Sequence, residues 1–164
     1  MNEIYTFKRG TVIMADFSPQ IGSEIKGKHF AIVLTKNDRN SNELLTVIPL
    51  TSKFHKYHID FGNEIYVSIY QKIMNSLESI IKASRDLNDT FNNEEYTEIN
   101  KQIEMCNQIS ERYKLLKEHT YGKPQQITTI SKYRIIKPSP IRKLKVSNEV
   151  MDLIDKAIIK LFTR

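Results

Sequence analysis

Between residues 9 and 61, apolar side chains gather in short runs divided by turn-forming residues. Thr11–Ala15 (TVIMA), His29–Thr35 (HFAIVLT) and Leu45–Leu50 (LTVIPL) each predict a strand, the second of the kind buried on both faces. Lys56–Phe61 (KYHIDF) alternates and predicts a half-exposed strand. The dividers are a loop from Ser18 to Lys28 and the polar turn Asn37–Asn42. Strands this short and this closely spaced predict a small, strongly bent sheet or barrel.

The period then changes. Tyr66, Ile69, Tyr70, Ile73, Leu77, Ile80 and Ile81 recur at three- and four-residue steps, and Tyr96, Ile99, Ile103, Cys106, Tyr113 and Leu116 resume the rhythm after a polar break at 88–93. This predicts two antiparallel amphipathic helices, with the apolar residues forming the seam between them. Strand character returns at Gln125–Ile130 (QQITTI). A basic link containing Lys137-Pro138-Ser139-Pro140 leads to a last helix that Ser147 can cap. Its apolar face holds Val150, Leu153, Ile154, Ala157, Ile158, Leu161 and Phe162. The expected architecture is one β-domain, residues 1–64 plus 120–164, interrupted by a helical hairpin at 65–119. Neither β portion makes a core alone, so the hairpin must leave and return at neighbouring points.

Composition narrows the function. The 164-residue chain has a net charge of +6, unevenly spread. Residues 65–120 hold seven Lys/Arg and nine Asp/Glu, and the remainder holds eighteen and ten. The basic part is the β-body, which suits a polyanionic partner such as nucleic acid, although a lysine-rich soluble surface reads the same way. A single cysteine, Cys106, excludes an internal disulfide and a Cys-rich zinc cluster. The sequence contains no HExxH, GxxxxGK[ST] or GxGxxG, which argues against the enzymes built on them. No apolar run approaches membrane-spanning or signal-peptide length, so a cytoplasmic location is expected.

Several elements in order carry a resemblance. Residues 8–35 (KRGTVIMADFSPQIGSEIKGKHFAIVLT), 45–53 (LTVIPLTSK) and 125–135 (QQITTISKYRI) together resemble the PemK/MazF family of toxin ribonucleases. The resemblance covers roughly 1–64 and 120–164 and leaves out the hairpin. It implies a mainly β (α+β) fold: a small SH3-like barrel with a C-terminal helix, usually homodimeric. It also implies a cofactor-free, metal-independent endoribonuclease that cuts single-stranded RNA and is silenced by an antitoxin whose tail covers the RNA groove. The gyrase poison CcdB shares the fold, so a non-enzymatic poison, or a barrel that binds RNA without turnover, stays open.

Metal-free cleavage can use the substrate's own 2′-hydroxyl. It then requires a base, a proton donor for the leaving oxygen, and positive charge on the phosphorane. By the resemblance, Thr51 matches the family's catalytic threonine, and His29 stands where the family has arginine. Imidazole cannot grip phosphate with two N–H groups as guanidinium does, but it can pass protons near neutral pH. His29 is therefore expected as general acid or base, with Lys26 or Lys28 supplying fixed charge. The alternative for His29 is a strand-edge histidine bonded to a backbone group. Glu24 is expected to orient His29 or accept from a base edge, or else to be a solvated loop carboxylate. Ser18, Ser52, Lys53 and Gln126 are expected RNA contacts. Lys56, Lys132, Arg134, Arg142 and Lys143 are expected to make the groove electropositive, and Phe17 and Phe30 can stack bases or fill the core.

Overall fold

The computed structural model describes residues 6–19, 21–86, 93–113, 116–136 and 144–163. Strands β1 (Val12–Asp16), β2 (Lys28–Val33) and β3 (Leu44–Thr51) form an antiparallel meander, matching the three apolar runs. Two residues each make β4 (Ile59–Asp60) and β5 (Tyr121–Gly122), and β6 spans Thr128–Ser131. The strand order is β1-β2-β3-β5-β4, with β6 also on β3. The long β3 can serve both because its first half pairs with β6 and its last two residues pair with β5.

The sheet curls without closing into a barrel. The outer edge of β1 meets irregular backbone rather than another strand, through isolated bridges Thr11–Lys145 and Ala15–Ile135. Val12 N donates to Leu144 O (3.0 Å) and Ile136 N to Met14 O (2.9 Å), so the edge is still satisfied. Gln125 and Gln126 are not in a strand. They lie in a 3-10 turn, Pro124–Gln126, where the proline ring presets φ and removes a ladder donor. The predicted strand begins only at Thr128.

Two clusters of apolar residues fill the two faces of the sheet. One holds Ile13, Ala15, Phe17, Ala31, Val33, Leu45 and Val47 with Ile130 and Ile135. The other holds Val12, Met14, Phe30, Ile32, Ile48 and Leu50, and receives Val150 and Ile154 from the terminal helix α3 (Asn148–Phe162). Phe17 and Phe30 are thus core residues. Ser147 caps α3 as expected, its Oγ accepting from Val150 N at 3.3 Å. Leu153, Leu161 and Phe162, expected on the packed face, remain exposed at 43%, 42% and 73%.

The hairpin consists of α1 (Glu64–Asp86) and α2 (Asn93–Tyr113), which pack on each other. It leaves and returns side by side: Phe61 N donates to Thr120 O (3.0 Å) and Thr120 N to Gly62 O (2.9 Å), continuing the β4–β5 pairing. Close approach there requires Gly122, since a Cβ would sit 2.7 Å from the Phe61 ring. The hairpin is not a free appendage. Ile65, Ile69 and Leu116 are buried in the same cluster as Ile48 and Val150. The seam is narrower than expected: Ile80 and Cys106 are buried, whereas Tyr66, Tyr70, Ile81, Tyr96 and Ile103 are exposed. The polar break at 88–93 and the 137–140 link fall outside the described residues, except Asn93, which opens α2. So do Arg142, Lys143 and the side chain of Tyr113. No helix among the described residues is long and apolar enough to cross a membrane.

Candidate active site

The ends of β2 and β3 open on one side of the sheet onto a cavity of about 300 Å³. Its floor is apolar, made by Met14, Phe30, Leu50 and Leu116. Lys28 and His29 come from the start of β2, and Thr51, Ser52 and Lys53 from the end of β3. Lys117 and Thr120, from the return of the hairpin, complete the wall. His29 and Thr51, remote in sequence, line one cavity because β2 and β3 are antiparallel neighbours.

The local bonds set what each group can do. His29 Nε2 lies 2.9 Å from Lys26 O. A carbonyl only accepts, so Nε2 carries a proton, and in the neutral ring the lone pair is on Nδ1. The backbone-bonded alternative is therefore what the geometry has, and it leaves the other nitrogen able to accept a proton. The buried Phe17 meets the imidazole edge-to-face at 6.3 Å. Thr51 Oγ1 accepts from Lys53 N at 3.1 Å, so its own hydrogen stays available for donation.

Other expected contacts are placed elsewhere. Glu24 does not reach this cavity. Its Oε2 accepts from Ile21 N at 3.2 Å, and its side chain lines a second, smaller pocket with Gln126 and Thr128. Gln126 donates to Ser23 O (3.0 Å), while its Oε1 is buried without a partner. Ser18 ties the neck of the 18–28 loop, accepting from Gly27 N at 3.0 Å. Gly27 has φ +77°, which favours glycine at this point. Lys26 offers its carbonyl to the imidazole. Arg134 donates to Ser18 O at 2.7 Å. Asp16, opposite Lys28 across the strands, is held below the usual carboxylate range by hydrogen bonds from Ser18 and by the charges of Lys28 and Arg134.

Lys132 cannot line a phosphate path. It is buried in an ion pair with Asp38 at 2.8 Å and donates to Arg39 O. Lys117 and Thr120 are the wall residues that sequence reasoning missed. Their nearness to Thr51 depends on the Thr51–Tyr121 pairing, which no local pattern announces. Among the described residues no group of three or more His, Cys, Asp or Glu is arranged to hold a metal ion.

The family model for PemK-like, MazF-like toxins of type II toxin–antitoxin systems matches residues 8–102, more than half of the chain. The chain belongs to this family. The match runs through α1 into α2, so it includes part of the hairpin that the sequence resemblance left out, and it stops before β5. Among solved structures, MazF from Deinococcus radiodurans is similar over 96% of each chain, with a TM-score of 0.52 and 11% identity, which supports the PemK/MazF fold. No curated protein matches the chain.

Proposed function

We propose that this PemK/MazF toxin is an endoribonuclease that cuts single-stranded RNA at the 28–29/51–53 cavity, using the substrate's 2′-hydroxyl and no cofactor. The observation that carries this reading is the convergence of His29, Thr51 and three lysines, Lys28, Lys53 and Lys117, on one open cavity. His29 Nδ1 takes the proton of the 2′-hydroxyl as O2′ bonds to phosphorus. The P–O5′ bond breaks, and the imidazolium then returns a proton to the leaving 5′-oxygen. The products are a 2′,3′-cyclic phosphate and a 5′-hydroxyl. Thr51 donates to a non-bridging oxygen, and the lysines offset the phosphorane charge. Lysine point charges thereby replace the forked grip of the family's arginine.

The catalytic centre is His29 and Thr51. Glu24, Ser18, Lys26 and Gln126 serve RNA binding through the 18–28 loop and the second pocket, away from the reacting phosphate. The toxin acts in the cytoplasm, where mRNA is, and an antitoxin tail silences it by occupying the same groove.

The test is incubation of the pure protein with a long RNA in EDTA, followed by mapping of the ends. Cuts at a short recurring sequence that leave cyclic phosphate termini are expected. Intact RNA together with inhibited gyrase would replace this reading with CcdB-like poisoning.

A further inference from the structure

Beside the cavity the surface becomes aromatic. His119 and Tyr121 stack at 4.9 Å with 28° between their planes, and Phe54 meets Tyr121 edge-to-face at 5.8 Å. Phe54 is 75% exposed, an unfavourable place for a phenylalanine that has nothing to cover it. Tyr121 is the cross-strand partner of Thr51, so the row starts one residue pair from the hydroxyl assigned to the phosphate. Cations border it. Lys53 and Lys117 rim the cavity. Lys123 is pushed down by burial and by Lys53, and His58 by burial, with His55 and Lys123 adding repulsion. Like charges crowded at one edge are relieved by a polyanion.

We propose that Phe54, Tyr121 and His119 form a stacking shelf for nucleotides flanking the cleaved linkage, with Lys53 and Lys123 holding the phosphates between them. Aromatic faces accept any base, and neighbouring lysines follow the backbone of a single strand. The shelf is built jointly by the 52–58 loop and by β5, where the hairpin returns, so it extends the site beyond the residues that the family resemblance supplied. His119 and Tyr121 cover one face of each other, and Asp60, which accepts from His119 Nε2 at 2.7 Å, offsets part of the positive charge, so the exposed Phe54 ring beside Lys53 is the open end of the row. An exposed ring beside cations suits a base better than the apolar side chains of a protein tail, which call for clefts.

The shelf rests on the nuclease reading, and the test separates the two. The intact protein is titrated with a single-stranded oligoribonucleotide that contains the mapped cut site and is 2′-O-methylated to prevent cleavage. A second probe is abasic at the nucleotide beside the cut. Phe54→Ala, at an exposed position, is expected to weaken binding of the first probe about 5- to 150-fold and to change binding of the abasic probe less than about twofold. Phe54→Trp is expected to restore affinity. If the wild type cleaves RNA and Phe54→Ala binds the intact probe as tightly, the shelf is wrong and the nuclease reading stands. Equal losses on both probes also overturn it, since no base is then being read. Unchanged RNA binding with lost binding of an oligo-glutamate peptide would assign the rings to a protein partner instead. A wild type that neither binds nor cuts RNA overturns both proposals.

Discussion

His29 shows how much one hydrogen bond decides. Bonded through Nε2 to Lys26 O, it is held in the tautomer whose free nitrogen can act as a base. Its position was legible from the strand it opens, but the tautomer was not, because it depends on a carbonyl three residues back in a turn. Thr51 was legible from the Pro-Leu-Thr-Ser element. Lys132 was misjudged because a lysine in a basic segment ordinarily points to water, whereas this one is 5% exposed and paired with Asp38. Lys132→Ala would leave a buried carboxylate with Phe7 N and Asn42 as its other partners. A loss of roughly 3–5 kcal/mol in denaturant unfolding is expected, and an unchanged midpoint would contradict the pairing. His58 binds its proton less tightly when folded, mainly through burial. Between about pH 6.5 and its lower folded midpoint, the unfolded chain therefore holds more protons and stability falls on acidification. An NMR titration is expected to place the His58 midpoint below that of a free histidine; a midpoint at or above it would contradict the burial.

The elements separate into those with strong local signals and those made by partners. β1, β2, β3 and α3 follow their apolar runs closely. β4 and β5 are two residues each and exist only because the ends of the hairpin are pinned together at Phe61 and Thr120. The alternation of Lys56–Phe61 announced β4 but overran it, because only Ile59 and Asp60 pair, and β5 is too short to have a period to read. The hairpin is α1 and α2, but its role was hidden: periodicity marked Tyr66, Ile69 and Tyr70 as seam residues, whereas Ile69 and the unmarked Ile65 enter the core and both tyrosines stay exposed. The root of the hairpin is thus structural, while Ile81, Tyr96 and Ile103, farther out, are exposed. Replacing residues 77–105 with a short Gly/Ser linker is expected to leave a folded protein that still cleaves RNA. Leu116→Ala is expected to cost roughly 2–5 kcal/mol, since Leu116 fills both the core and the cavity floor. Unfolding of the shortened chain, or a neutral Leu116→Ala, would contradict this division.

Taken whole, the molecule keeps its positive charge on the β-body and leaves an apolar strip on α3. The expected barrel is a curled, unclosed sheet, since among the described residues 135–136 and 144–146 meet the edge of β1 only through isolated bridges and single hydrogen bonds. The homodimer that the family resemblance implies is expected to bury the exposed Leu153, Leu161 and Phe162 of α3. A solution mass of twice 19.2 kDa is expected, reduced to the single-chain value by Leu161→Asp with Phe162→Asp; a monomeric wild type would contradict it. Every functional statement above depends on His29 and Thr51 acting on one phosphate. The direct measurement is the single-turnover cleavage rate, in EDTA, of an RNA bearing one mapped site, for wild type, His29→Ala and Thr51→Ala, each verified as folded. Losses of about 10²- to 10⁴-fold are expected for His29→Ala and about 10²- to 10³-fold for Thr51→Ala, with no cutting of an RNA carrying a 2′-deoxy residue at that linkage. Undiminished cleavage by either variant, or cleavage of the deoxy linkage, would contradict the account.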